Sequence, residues 1–147
     1  MYSTTEDLQS QINKTKSMDQ LQKLQEATAD KYAAPSAWEY LLATAAKHGL
    51  DKAMLAKSII QQSALERTYV YHLLSGEFGL TRDKLVQFAI AGGFTLEETN
   101  TLLKYGHLAP LYARDTRDAV LIYSLNRKLS LMDTNQALEE LGHKLLK

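Results

Sequence analysis

The chain has 147 residues, 45% of them hydrophobic and 23% charged, the size and make-up of one soluble domain with or without an arm. Seventeen Lys and Arg balance seventeen Asp and Glu, which argues against a protein that coats nucleic acid by bulk charge. Cysteine is absent, which excludes disulfides, zinc ribbons, iron–sulfur clusters and thiol nucleophiles.

No apolar run approaches the ~18 residues of a membrane span. Residues 1–7 lack the basic and apolar regions of a signal peptide. A cytoplasmic protein with no membrane association is therefore expected. Apolar residues recur at i, i+3, i+4 and i+7, and period-two alternation is hard to find, so the fold expected is all-α.

In chain order, residues 4–16 offer Leu8 and Ile12 at helical spacing. Ser17-x-x-Gln20 is a capping-box pattern opening a helix with Leu21 and Leu24. Residues 1–35 thus read as a helical arm or linker, with 28–35 as the connector. From Ser36 the punctuation sharpens. Ser36-x-x-Glu39 boxes a helix whose stripe is Trp38, Leu41, Leu42 and Ala45, with Trp38 expected in the core, and Gly49 closes it. Asp51 caps the next helix, with Leu50 and Leu55 as staple and an end near Gln62. A third runs from about Glu66 to Ser75 and stops at Gly76. Thr81 caps a fourth that ends at Gly92-Gly93, and Thr95-x-x-Glu98 boxes a fifth that ends at Gly106.

The chain partly matches itself at a shift of 35 residues. Thr81, Arg82, Asp83, Leu96, Thr99, Asn100 and Leu103 recur as Thr116, Arg117, Asp118, Leu131, Thr134, Asn135 and Leu138. Leu85/Val120, Phe88/Tyr123 and Glu98/Asp133 swap like for like. The pattern predicts a duplicated helical hairpin packed on the same core as the helices before it.

Residues 37–76 then read as three short, tightly linked helices. In the third, Leu65, Val70 and Leu73 face inward together, leaving Glu66, Arg67, Thr68, Tyr71, His72 and Ser75 outward. These side chains can hydrogen-bond bases and phosphates, and a helix of this kind fits a major groove about 12 Å wide. The segments Gly49-Leu50-Asp51-Lys52, Leu55-Ala56 and Leu65 to Gly76 resemble the Cro/phage-repressor-type helix-turn-helix family. Thr81 to Leu85 and Thr95 to Glu98 resemble the starts of that family's fourth and fifth helices.

The resemblance implies a five-helix repressor-like domain over 36–106, with 107–147 as an additional C-terminal helical hairpin packed on it. It implies base reading by Glu66, Arg67 and Thr68 and, one turn on, by Tyr71 and His72. Phosphate contact falls on Lys57 or Gln61, and Ser75 is a further phosphate-contact candidate. The stretch from Gly49 to Leu65 is about four residues longer than the family pattern, which means a longer second helix or a looped turn. Residues 51–90 carry five basic side chains (Lys52, Lys57, Arg67, Arg82, Lys84) against four acidic (Asp51, Glu66, Glu77, Asp83), a net of +1. A positive stripe across Lys57, Arg67 and Arg82 is what phosphate contact would need.

No Gly-x-Ser-x-Gly, Walker loop or His-Glu-x-x-His is present. His107 and His143 each follow a helix-ending Gly, where a cation favours the helix dipole, so no metal site is expected. Neither enzymatic activity nor a cofactor is expected. The expected function is a sequence-specific DNA-binding transcriptional regulator acting on double-stranded DNA as a homodimer. The alternative is a non-DNA-binding interaction adaptor on the same fold, docking a protein partner through the C-terminal hairpin. Residues 104–128 carry Lys104, Arg114, Arg117, Arg127 and Lys128 against Asp115 and Asp118. That patch reads either as a salt-bridged face or as a hold on DNA or an acidic partner.

Overall fold

Capping side chains set where the helices start. The computed structural model describes residues 5–27, 36–76 and 80–147, and among them it contains nine helices and no strand. The predicted connector at 28–35 and the loop residues 77–79 lie outside the described residues. The chain divides into two units, residues 1–35 and 36–147. No described helix is long and apolar enough to cross a membrane.

In the first unit, α1 (Thr5–Asn13) packs against α2 (Met18–Ala27). The Ser17 hydroxyl accepts from the Gln20 amide at 3.2 Å, and the Gln20 side chain accepts from the Lys16 amide at 2.8 Å. The box reaches back one residue further than the usual pattern, since Gln20 satisfies Lys16 and not the cap itself.

The second unit holds α3 (Ala37–Lys47), α4 (Lys52–Gln62), α5 (Arg67–Leu73), α6 (Arg82–Ala91), α7 (Leu96–Tyr105), α8 (Thr116–Asn126) and α9 (Leu131–Glu140). Ser36, Asp51, Thr81 and Thr95 each cap the helix the sequence assigns to it, and Thr95 with Glu98 forms both halves of the box. Past its charged first turn, helix α6 buries every residue from Leu85 to Ala91, all apolar but Gln87, so it is the central helix. Helix α3 packs on α7, and α4 packs on α3, α5 and α6. Gln62 ties the end of α4 in place: its amide donates to Ser58 Oγ at 2.8 Å, and its carbonyl accepts from the Leu131 amide at 3.0 Å.

The 35-residue repeat recurs as geometry. Asn100 Oδ1 accepts from the Leu111 amide at 2.9 Å, and Asn135 Oδ1 accepts from the Leu146 amide at 2.8 Å. Arg82 Nε donates to the Ala109 carbonyl, and Arg117 Nε donates to the Lys144 carbonyl. Positive φ recurs too, at Gly93 and Lys128, then at His107 and Gly142.

Across the two copies the contacts are reciprocal. Arg82 forks onto Asp118 at 3.0 and 2.8 Å, and Arg117 forks onto Asp83 at 3.0 and 3.1 Å. Helix α6 packs on α9 while α8 packs on α7. Reciprocity of this kind marks a pseudo-two-fold relation between the hairpins, in which like faces meet. One detail departs from the alignment. Thr81 caps α6, but α8 is capped by Asp115, one residue before Thr116, its side chain accepting from the Asp118 amide.

Candidate nucleic-acid interface

Helix α5 is short, and its neighbours fix its position. Val70 and Leu73 are buried, Leu74 at the C-cap is fully buried, and Leu65 in the preceding turn packs on the core. The Trp38 indole N–H donates to the Leu74 carbonyl, occupying an acceptor that the helix end leaves open. Gly76 follows with φ of +81°, and a Cβ there would come within 3.0 Å of the Trp38 ring. Trp38 is half-buried, not a core residue, and serves as a bracket between α3 and the end of α5. Lys52 Nζ lies 5.8 Å from the centre of its ring.

The turn from α4 to α5 spans residues 63–66, where Ser63 Oγ accepts from the Leu65 amide at 3.2 Å. Helix α4 thus has eleven residues and is followed by a short turn. Glu66 is the N-cap residue of α5, with no side-chain capping bond.

Glu66, Arg67, Thr68, His72 and Ser75 are each exposed, at the turn, on α5 and just past its end. Ser75 Oγ donates to the His72 carbonyl at 2.6 Å. Tyr71 differs from its expected placement. It is half-buried because the core packs against its side of α5, and the Arg67 guanidinium lies 5.5 Å from its ring centre. The exposed aromatic is Tyr69, 43% accessible, with Lys84 Nζ 5.8 Å from its ring centre. Lys57 is exposed on α4. Gln61 is exposed too, but it lines a groove of about 680 Å³ shared with Met132, Gln136 and Glu139 of α9, and so faces the C-terminal hairpin.

The positive stripe is interrupted. Arg82 does not join Lys57 and Arg67, since every side-chain nitrogen it carries is held by Asp118, Ala109 or Pro110. Hydrogen bonding to Asp118 raises the guanidinium above its ordinary range despite burial. Burial pushes the Asp118 carboxyl up, but bonds from Arg82 and from the Tyr112 amide outweigh it and hold it below the usual carboxylate range. Burial lowers Lys84, whose ammonium reaches Gln87 Oε1 at 3.3 Å. In the second basic patch Arg117 is bound to Asp83, and Lys128 donates to the Gly93 carbonyl, so two of its five cations are structural.

Tyr69, Lys84 and Gln62 lie near the site, and sequence reasoning gave them no role in it. Tyr69 flanks Val70 on a one-sided helix, and Lys84 shares the first turn of α6 with the Arg-Asp pair. Besides Ser58 on its own helix, Gln62 meets Ala91 of α6 and Leu131 of α9, long-range partners that no local pattern displays. Among the described residues no group of three His, Asp or Glu is arranged to hold a metal. No family model, no curated protein and no solved structure matches the chain.

Proposed function

We propose that the protein binds double-stranded DNA sequence-specifically through α5 and acts as a transcriptional regulator. One observation carries the reading: α5, held by Trp38 and by buried Val70 and Leu73, leaves Glu66, Arg67, Thr68 and His72 exposed along a polar edge. Arg67 is the guanine reader, and Thr68 and Ser75 hold phosphates. Glu66 accepts from a cytosine amine, and Lys57 steadies the backbone. With Arg82 withdrawn, few cations reach phosphate. The affinity therefore falls with salt at a log–log slope of only about −2 to −3. Selection from randomised duplexes tests the reading. Enrichment of one motif by the wild-type chain, lost with Arg67→Ala plus His72→Ala, supports it; no enrichment at low salt removes it.

The locking of Arg82 and Arg117 favours a second reading, a helix-turn-helix scaffold that docks a protein and no DNA. A nuclease-treated pull-down that retains one stoichiometric protein, with no motif enriched, selects that alternative.

A further inference from the structure

Gln87 sits on the central helix α6 and is 1% accessible. At the matching position of the repeat, 35 residues on, stands Ile122, an apolar side chain packed on the core. Packing alone therefore does not call for an amide here. Gln87 Oε1 accepts from Lys84 Nζ at 3.3 Å. An ammonium only donates, so this contact fixes which end of the amide is oxygen and turns Nε2 away from Lys84. Among the described residues Nε2 has no acceptor, and a buried donor left unpaired is costly. Gln87 borders the groove of about 680 Å³ that runs between the α4–α5 turn and α9, and Lys84 does not. The unpaired N–H groups thus face the groove. Leu65, Met132, Leu145 and Leu146 give it an apolar wall. Two other amides along it are occupied. Asn135 holds the amide and carbonyl of Leu146, and Gln62 bonds Ser58, Ala91 and Leu131. Half-buried Ser63 adds a second donor: its Oγ accepts from the Leu65 amide, and its proton is unclaimed among the described residues.

We infer that this groove is a binding site for a small neutral molecule with an apolar body and a carbonyl-type acceptor, which takes a hydrogen bond from Gln87 Nε2. A hydrocarbon alone would leave the Gln87 donor unpaired, and a lone acceptor such as water would leave the apolar wall wet, so the occupant carries both features. The charged side chains along the groove, Glu139 and Lys147, are exposed and opposite in sign, which selects no net charge on the ligand. The volume lies within the ~300–1,000 Å³ of ligand pockets, which pair mostly apolar walls with a few placed polar groups. None of Glu66, Arg67, Thr68 and His72 lines the groove, so the inference stands whether or not α5 reads DNA.

Titration of the isotopically labelled full chain with three neutral probes, N-butylbenzamide, octanamide and δ-decalactone, tests this by NMR. At least one probe should saturate with a dissociation constant of about 1 mM or tighter, as expected for ligands of this size. The side-chain NH₂ pair of Gln87 should shift together with the backbone amides of Ser63, Met132 and Leu146. Gln87→Leu should weaken that probe about tenfold, with the thermal midpoint unchanged or raised, because a buried unpaired donor is removed. Ala64→Trp, at an exposed residue on the groove, should block it and weaken the probe at least as much without unfolding the chain. The Gln87 NH₂ signals of the unaltered chain keep the test readable if a variant fails to fold. Indifference to all three probes overturns the inference. Groove shifts that leave the Gln87 NH₂ pair unmoved, or a probe bound equally well by both variants, overturn it too.

Discussion

Arg82→Ala should destabilise the protein far more than Arg117→Ala, although the two arginines are the same residue of the repeat. The Arg82–Asp118 pair is the more deeply set. The Asp118 side chain is 7% accessible, and the carboxylate also accepts from the Tyr112 amide at 3.0 Å. Removing Arg82 strands that carboxylate and leaves the Ala109 and Pro110 carbonyls without their donor. Breaking a buried pair costs about 3–5 kcal/mol. Arg82 is itself 27% accessible, and discounting for water reaching Asp118 gives about 2–3 kcal/mol. The Arg117–Asp83 pair is 21% and 31% accessible, and its loss should cost about 0.5–1 kcal/mol.

Equilibrium urea unfolding reads both variants, followed by far-ultraviolet circular dichroism and by the fluorescence of Trp38, the only tryptophan. The Arg82→Ala/Asp118→Ala cycle should return a coupling above about 1.5 kcal/mol, and the Arg117→Ala/Asp83→Ala cycle below about 1. Equal losses in the two single variants, or a coupling below about 0.5 kcal/mol at Arg82–Asp118, would refute the argument that burial makes the two pairs unequal.

Three further outcomes are expected. Asp118 and Glu98 are both held below the ordinary carboxylate range; in Glu98 burial pushes up, and bonding to the Thr95 amide and to His48 outweighs it. Their contribution is complete above the unfolded carboxylate value of about 4 and is lost as pH falls through the lower folded values. The thermal midpoint should therefore drop below pH 4, and Asp118→Asn should flatten that drop. His107 has φ of 58° where the second copy has Gly142 at 76°, so His107→Gly should stabilise by about 0.5–1 kcal/mol and Gly142→Ala should destabilise by about 1 kcal/mol. Urea midpoints check both. Gly76→Ala meets both a left-handed backbone and the Trp38 ring, and should cost about 1–3 kcal/mol with a shift in Trp38 emission, because that ring must move.

What was legible in the sequence was local. Ser36, Asp51, Thr81 and Thr95 announce helix starts because a cap bonds an amide two or three residues on, a distance the sequence displays directly. The repeat was legible because Asn100 and Asn135 do the same work in each copy, clasping a loop eleven residues later. The electrostatics were not legible. Arg82 and Asp118 are 36 residues apart, and only the packing of the hairpins turns two first-turn pairs into crossed salt bridges. A charge count that treats Arg82 as available to phosphate therefore overstates the candidate surface. The face of α5 was legible at Val70 and Leu73, but seven residues are too few for periodicity to separate Tyr69 from Tyr71. Which of those two is exposed was decided by neighbouring helices, with Lys84 of α6 beside Tyr69.

The central claim is that α5 meets the bases of a duplex. Amide NMR spectra of the isotopically labelled full chain, titrated with a pool of random-sequence duplexes at low salt, test it most directly. The amides of Glu66, Arg67, Thr68, His72 and Ser75 should shift first and furthest, and Arg67→Ala with His72→Ala should abolish those shifts while the rest of the spectrum stays folded. Shifts confined to α8 and α9, or a spectrum indifferent to DNA at every ratio, would contradict it.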